Sequence, residues 1–154
     1  MEFIVVKWLH VLSSTVLFGT GLGSAFYMYF ASHSRDARVV AVVVRHVVRA
    51  DWLFTAPTVV AQPVTGFYLL HYMGLPFSTR WITWSVGLFL LAIAAWLPVV
   101  WMQIRMRDMA RRAVAADGEL PAVYWRYLRL WVLLGTVAFL ALVVVFYLMV
   151  AKPS

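Results

Sequence analysis

Long apolar runs without Asp, Glu, Lys or Arg dominate the pattern of hydrophobic and polar positions along the chain. The four runs cover residues 8–34, 52–79, 81–104 and 130–151. A helix that crosses a bilayer needs about 20 predominantly apolar residues, and each run is longer than that. The pattern therefore predicts an all-α fold, an integral membrane four-helix bundle that forms one transmembrane domain over residues 1–154. We expect the spans at about 4–31, 51–73, 81–104 and 128–150.

The composition agrees with that fold. Hydrophobic residues make up 64% and charged residues 12% of the 154 residues, whereas a soluble domain averages about half and about a quarter. A chain this short cannot bury so much apolar surface in a core of its own, which excludes a soluble globule. The absence of cysteine from the sequence excludes disulfides, cysteine-ligated metal sites and a thiol nucleophile.

The net charge of +7 indicates the orientation in the membrane. Four spans place both termini at one end of the bundle, which we call the terminal end. Its basic residues are Lys7, Arg80 and Lys152. The other end, here the arginine-rich end, carries the 31–51 and 105–129 connections with ten arginines. Cytoplasmic loops are enriched in Lys and Arg, so we predict a location in the cytoplasmic membrane with both termini facing the periplasm or the cell exterior. No nucleic-acid-binding motif accompanies these residues, and membrane lipid is the expected partner.

Polar side chains inside the spans are the strongest indication of function, because polar groups are costly in a bilayer. In helical projection, Lys7, Ser14 and Gly21 share the face of His10 on the first span. This face has small or polar residues and leaves room for a flat ligand. Gln62 marks a polar face on the second span.

The third span has its own line of such residues, Ser85, Trp96 and Gln103. We expect all three faces to point into the bundle and to form a polar seam beside an apolar exterior. His71 lies about 180° from Gln62 around the second span and is expected to point elsewhere.

His10 is the main candidate for chemistry. A neutral imidazole can ligate a metal and can also carry a proton, or His10 can simply form a hydrogen bond to Ser14 or to a facing helix. Lys7 and Lys152 can pair with an anionic group such as a propionate or a quinone oxygen, or anchor the helices at the interface. His71, on the same side of the membrane as His10, is the second candidate metal ligand. If the metal is the iron of a haem with His10 as its first ligand, the second ligand could also be a lysine, Met73, Met149 or water.

Gly19 and Gly23 form a G-x-x-x-G pattern opposite the His10 face. This spacing predicts close helix packing, either inside the bundle or at a dimer interface.

Asp51 is the only acidic residue next to a span. We expect it to form a local ion pair with Arg45 or Arg49, the alternative being a point of proton access.

Short motifs along the whole chain resemble one family. They are Lys7-Trp8-Leu9-His10, Phe18-Gly19-Thr20-Gly21, Ala50-Asp51-Trp52-Leu53-Phe54-Thr55, Gln62-Pro63-x-Thr65-Gly66, Trp96-Leu97-Pro98-Val99-Val100 and Met149-Val150-Ala151-Lys152-Pro153. Together they resemble the bacterial integral membrane family called domain of unknown function 2269.

A more distant likeness rests on Lys7, His10, the glycine-containing stretch that follows and His33. These features are similar to HemJ-type protoporphyrinogen oxidases, and the layout is similar to the copper-resistance D-type membrane proteins. The HemJ resemblance implies a helical bundle that binds haem b, with His10 at the position of the first-helix histidine. The later-helix lysine of that family has no counterpart inside the second or third span.

The leading hypothesis is a haem-b-binding membrane protein with a role in electron transfer or in the oxidation of a hydrophobic substrate. Under it, the resemblance implies an oxidoreductase like the HemJ-type enzymes. The cofactor would be held by His10, Lys7, Ser14, Gly21, Gln62 and Lys152. One alternative is a protein that transports or handles copper or another metal. Its cluster would comprise His10, His71, Met73 and Met149. The other alternative is a non-catalytic subunit or scaffold that forms a homodimer or binds a membrane-complex partner.

Overall fold

Five α-helices and one π-helical turn make up the fold in the computed structural model, which describes residues 1–153. They are α1 (Glu2–His33), α2 (Ala37–Ala50), the π turn (Asp51–Thr55), α3 (Ala56–Tyr72), α4 (Arg80–Ala115) and α5 (Ala122–Ala151). Because α2, the π turn and α3 follow one another without a break, the chain forms four rods, and no strand occurs among the described residues. The predicted all-α four-helix fold is confirmed.

Three of the helices, α1, α4 and α5, are long and apolar enough to cross a membrane. α3 has 17 residues, so the second span at 51–73 consists of the π turn and α3 and stays a prediction. Large apolar side chains cover the outside of the rods, as Leu97 and Leu133 show with 58% and 60% exposure. The protein is therefore a multi-pass membrane protein whose outer surface contacts lipid. Which end faces the cytoplasm stays a prediction.

The best-buried side chains lie at the arginine-rich end, outside the predicted bilayer. Val40 and Val44 of α2 pack with Met106, Ala110 and Tyr124, and all five are 0% exposed. The connections expected over 31–51 and 105–129 are thus largely helical and packed. Lipid tails are as apolar as leucine and do not drive helices together, whereas water does at this end.

The π turn stands directly before Pro57. A proline has no N–H to donate to the carbonyl four residues back, and upstream of it the N–H of Ala56 donates instead to the carbonyl of Asp51, five residues back. The wider turn leaves the side chains of both Asp51 and Thr55 facing the bundle interior, where they are 5% and 4% exposed. Single π turns are frequent at functional sites.

The glycine pair of α1 does not serve packing inside the bundle. A Cβ atom added at Gly19 or Gly23 would meet nothing within 4 Å. Internal close packing through this pair was a wrong expectation, because the face opposite His10 points outward. A contact with a second copy or a partner at this face stays a prediction.

Candidate functional site

His10 lies half-buried in the contact between α1 and α3. Its Nδ1 is 2.7 Å from Oγ1 of Thr65. Thr65 donates its one hydroxyl hydrogen to the carbonyl of Ala61, at 2.6 Å, so it accepts the bond from the imidazole. The hydrogen-bond network thus assigns the ring hydrogen of the neutral imidazole to Nδ1 and leaves the lone pair on Nε2.

Gln62 strengthens the same contact from α3. Its Nε2 donates to the main-chain carbonyl of His10, at 2.9 Å, and to Oγ of Ser13. Gly66 allows the close approach, since a Cβ atom there would lie 3.3 Å from Cε1 of His10. The polar faces expected on the first two spans therefore meet, but Ser14 takes no part and donates to its own helix.

The two lysines expected at the site are both exposed. Lys7 forms no hydrogen bond or ion pair with the residues that the structure describes. Lys152 follows α5, and its Nζ lies 5.9 Å from the centre of the Trp81 ring of α4. Lys152 is thus held against α4 rather than against the contact between α1 and α3.

His71 does not join His10. It is exposed on α3, and it lies about 9 Å beyond Thr65 along the helix axis and about 120° around it. Residues 1–153 contain no group of three or more His, Asp or Glu that could hold a metal ion. A metal at His10 would therefore have one histidine ligand.

A cavity of about 420 Å³ lies between α1, the π turn, α3, α4 and α5. Its volume is within the range of roughly 300–1,000 Å³ that is usual for ligand pockets. The walls are mostly aliphatic and phenylalanine side chains, and Gly21 is part of the α1 wall. On α5 the lining runs from Trp131 to Leu142, which is about 16 Å along the axis. The cavity is therefore apolar and elongated.

Four polar atoms give this cavity a chemical character. These atoms are buried and have no hydrogen-bond partner among the described residues. They are Oδ2 of Asp51, Oε1 of Gln103, Nε1 of Trp96 and Nε1 of Trp131. All four residues line the cavity, and Asp51, Gln103 and Trp131 are 5%, 3% and 5% exposed. Buried polar groups nearly always have a partner, so four unpartnered atoms in one cavity mark it as a candidate binding site.

Asp51 does not form the expected ion pair with Arg45 or Arg49. Both arginines are exposed, whereas the π turn directs the carboxylate inward. One oxygen, Oδ1, accepts a bond from Oγ1 of Thr55 at 3.0 Å, and the side chain of Gln103 approaches the carboxylate from α4. The ion pairs within the described part of the chain are Arg38–Asp117 and Arg107–Asp108.

The cavity opens toward the lipid. Among its lining residues, Leu22 and Phe26 of α1 and Thr136 of α5 are exposed on the surface of the bundle. The mouth therefore lies between α1 and α5. Nearer the terminal end, Phe18 and Phe139 stack with ring centroids 4.9 Å apart and join these two helices.

The sequence indicated part of this site. Trp96 and Gln103 were expected to face inward, and they do. Trp131 was missed because an indole near a span end is typical of the interfacial belt. For Asp51 the expected partners were wrong, because Arg45 and Arg49 are close to it in sequence but are exposed. A usable signal was the cost of a carboxylate next to a span, which favours an inward role.

The fold and the cavity define the class: a multi-pass helical membrane protein with a cavity inside the bundle. The chain belongs to the family described as "Predicted integral membrane protein (DUF2269)", whose model matches residues 4–153. The family resemblance of the sequence motifs is confirmed, while the likeness to the HemJ-type and copper-resistance D-type proteins stays a prediction. No curated protein and no solved structure matches the chain.

Proposed function

We propose that the protein binds an elongated apolar molecule with a polar head inside the membrane. The observation that carries this proposal is the set of four unpartnered polar atoms in one apolar cavity. Two of them, on Asp51 and Gln103, are hydrogen-bond acceptors, and the two indole N–H groups are donors. A ligand with an apolar body and a polar end would satisfy them and fill the remaining space.

The position of the cavity supports the same ligand class. Its mouth between α1 and α5 faces the lipid, so a molecule dissolved in the bilayer can enter sideways without crossing water. Asp51 lies at the edge of the predicted second span, which would hold the polar head at the membrane interface and the body toward the bilayer centre.

The test is a binding titration of the full chain in phosphatidylcholine nanodiscs with brominated undecyl probes. Bromine quenches tryptophan fluorescence on contact, and Trp96 and Trp131 line the cavity. We expect saturable quenching by ω-bromoundecanol. Gly21→Leu places a side chain in the cavity and should abolish it, whereas Gly87→Leu, at an open position of α4 outside the cavity, should not. Equal binding by both variants, or no saturable binding of any such probe, would refute the proposal.

A second candidate function is haem b binding with a redox role, with copper as the alternative metal. One observation favours it: Nδ1 of His10 donates to Thr65, which leaves Nε2 as the coordinating atom. Histidines that ligate metals usually donate their other ring N–H in this way. The neighbouring side chains, Ser13 and Gln62, carry a hydroxyl and an amide, which are weak ligands for iron or copper. His10 would be the single histidine ligand, and Lys7 would pair with a propionate.

Haem would supply one-electron chemistry to this site. His10 is not among the residues that line the cavity, so the haem site and the cavity are different places. The two candidate sites can therefore be tested separately. An absorption spectrum of the protein expressed with ample haem should show a Soret band that His10→Ala removes. The absence of a Soret band, or the same band in His10→Ala, would exclude haem at this site. Metal analysis of the purified protein that finds no copper would exclude copper.

We also propose a bacterial inner membrane location with the arginine-rich end in the cytoplasm. The ten arginines against three basic residues at the other end support this orientation. The outward face at Gly19 and Gly23 supports a scaffold role, as a contact for a second copy or a membrane-complex partner. A monomeric mass in nanodiscs and no co-purifying partner would contradict that role.

A further inference from the structure

The cavity contains one charged side chain among its lining residues, the carboxylate of Asp51. We infer that the polar head of the ligand is a protonated amine and that Asp51 is its counter-ion. This inference rests on the proposed function and names the ligand class.

The protein places no cationic side chain beside Asp51 in the cavity. A buried carboxylate is costly unless it is paired and hydrogen-bonded. Asp51 is 5% exposed, its Oδ1 accepts from Thr55, the side chain of Gln103 is its other hydrogen-bonding neighbour, and its Oδ2 has no partner among the described residues. No Lys, Arg or His lies among the lining residues. A cationic head would supply both the positive charge and the hydrogen-bond donor that the carboxylate of Asp51 lacks.

The second free acceptor favours an organic ammonium over a metal ion. Oε1 of Gln103 belongs to the side chain that approaches Asp51, and it too lacks a donor. A primary ammonium carries three N–H donors and can serve both oxygens. Hard metal cations take about six to eight oxygen ligands, and this pair offers two free oxygens. An alcohol has one donor and no charge, and a carboxylate head would be repelled.

Trp96 adds a condition on the body of the ligand. It lies about 10 Å deeper than Gln103 along the axis of α4, and its indole N–H is an unpartnered donor. This donor suits a hydroxyl, ether or carbonyl oxygen on the apolar body, about 10 Å from the ammonium. The ligand class is thus a lipophilic amine, with an oxygen function part-way along it.

The experiment compares three probes with one tail and different heads: ω-bromoundecylamine, ω-bromoundecanol and ω-bromoundecanoate. The full chain is titrated in phosphatidylcholine nanodiscs, with tryptophan quenching as the readout. We expect the amine to bind about tenfold or more tighter than the alcohol, as for a close charge pair, and the carboxylate to bind weakest. Asp51→Asn should remove the preference for the amine and keep binding of the alcohol. Asp117→Asn, which removes an exposed carboxylate at the same end, should keep the preference.

Equal affinity of the native protein for amine and alcohol would overturn the inference, and so would an unchanged preference in Asp51→Asn. Should Asp51→Asn not fold, Gln103→Leu decides, because it removes the second acceptor and should lower affinity for the amine more than for the alcohol. An unchanged ratio in that variant would also overturn the inference. The proposed function fails separately, when none of the three probes binds saturably.

Discussion

Ser32 of α1 and Tyr124 of α5 are joined through their hydroxyl oxygens, which lie 2.7 Å apart. Both side chains are completely buried. Ser32 also donates its hydrogen to the carbonyl of Met28, at 2.7 Å, so Tyr124 donates to Ser32. This short chain of hydrogen bonds ties the first and last helices together inside the core of the arginine-rich end.

The direction of these bonds predicts unequal effects of two substitutions. Tyr124→Phe removes one hydrogen bond and leaves Ser32 with its Met28 partner, so we expect a loss of about 1 kcal/mol in unfolding free energy. Ser32→Ala leaves the buried Tyr124 hydroxyl without an acceptor and should cost about 1–3 kcal/mol. Reversible unfolding by sodium dodecyl sulfate in mixed micelles measures both, and a larger loss for Tyr124→Phe would contradict the assigned direction.

The location of the core predicts where truncation of apolar side chains is costly. Met106 is 0% exposed at the arginine-rich end, so Met106→Ala should lower the unfolding free energy by about 2–5 kcal/mol. Leu97 of the same helix is 58% exposed on the outer surface, where lipid or detergent replaces the lost contact. Leu97→Ala should therefore change stability little, and the same unfolding assay compares the two. Comparable losses would mean that the bundle is held together equally along its length.

The fold could be predicted from the sequence because the bilayer imposes a length on apolar runs. The charge-free runs indicated four helices, and the spacing of Gln62 and His10 indicated facing polar surfaces. The packed helices at the arginine-rich end were not anticipated. The arginines of this segment indicated only its side of the membrane, whereas Val40, Val44 and Val47 of α2 are part of a buried core. That core depends on α4 continuing past its span, which periodicity within one segment does not reveal.

The cavity could not be predicted from the sequence, for a related reason. It arises where four rods fail to fill the space between them, which depends on their angles and not on any one helix. The π turn that holds Asp51 ahead of Pro57 was also not predicted, because ideal helical spacing does not include a local widening of this kind.

The cysteine-free sequence allows a direct test of orientation. Ala116 lies exposed in the connection between α4 and α5, and Ser78 lies exposed in the connection between α3 and α4. With Ser78→Cys, a membrane-impermeant maleimide should label intact spheroplasts, because the proposed orientation places the terminal end in the periplasm. With Ala116→Cys, labelling should require permeabilisation. The opposite pattern would invert the topology, and labelling of both variants in intact spheroplasts would mean that α4, which separates the two positions, does not cross the membrane.

The contact of His10 with Gly66 predicts a difference between two glycine substitutions. Replacing a helical glycine by alanine usually stabilises by roughly 0.5–1 kcal/mol. Gly19→Ala should show this gain, because its new methyl group meets nothing within 4 Å. At Gly66 the methyl group would lie 3.3 Å from Cε1 of His10 and push the ring away from Thr65. We therefore expect Gly66→Ala to lose most of the gain.

Nitrogen-15 NMR of labelled histidine checks the cause of that loss. In the native protein the neutral ring of His10 should carry its hydrogen on Nδ1, because Thr65 accepts from it. Gly66→Ala should shift the His10 signals toward a mixture of tautomers, and Gly19→Ala should leave them unchanged. Thr65→Val, which removes the acceptor, should have the same effect as Gly66→Ala. Native-like His10 signals in Thr65→Val would show that the hydrogen bond does not set the tautomer, and the free Nε2 inferred for metal binding would lose its support.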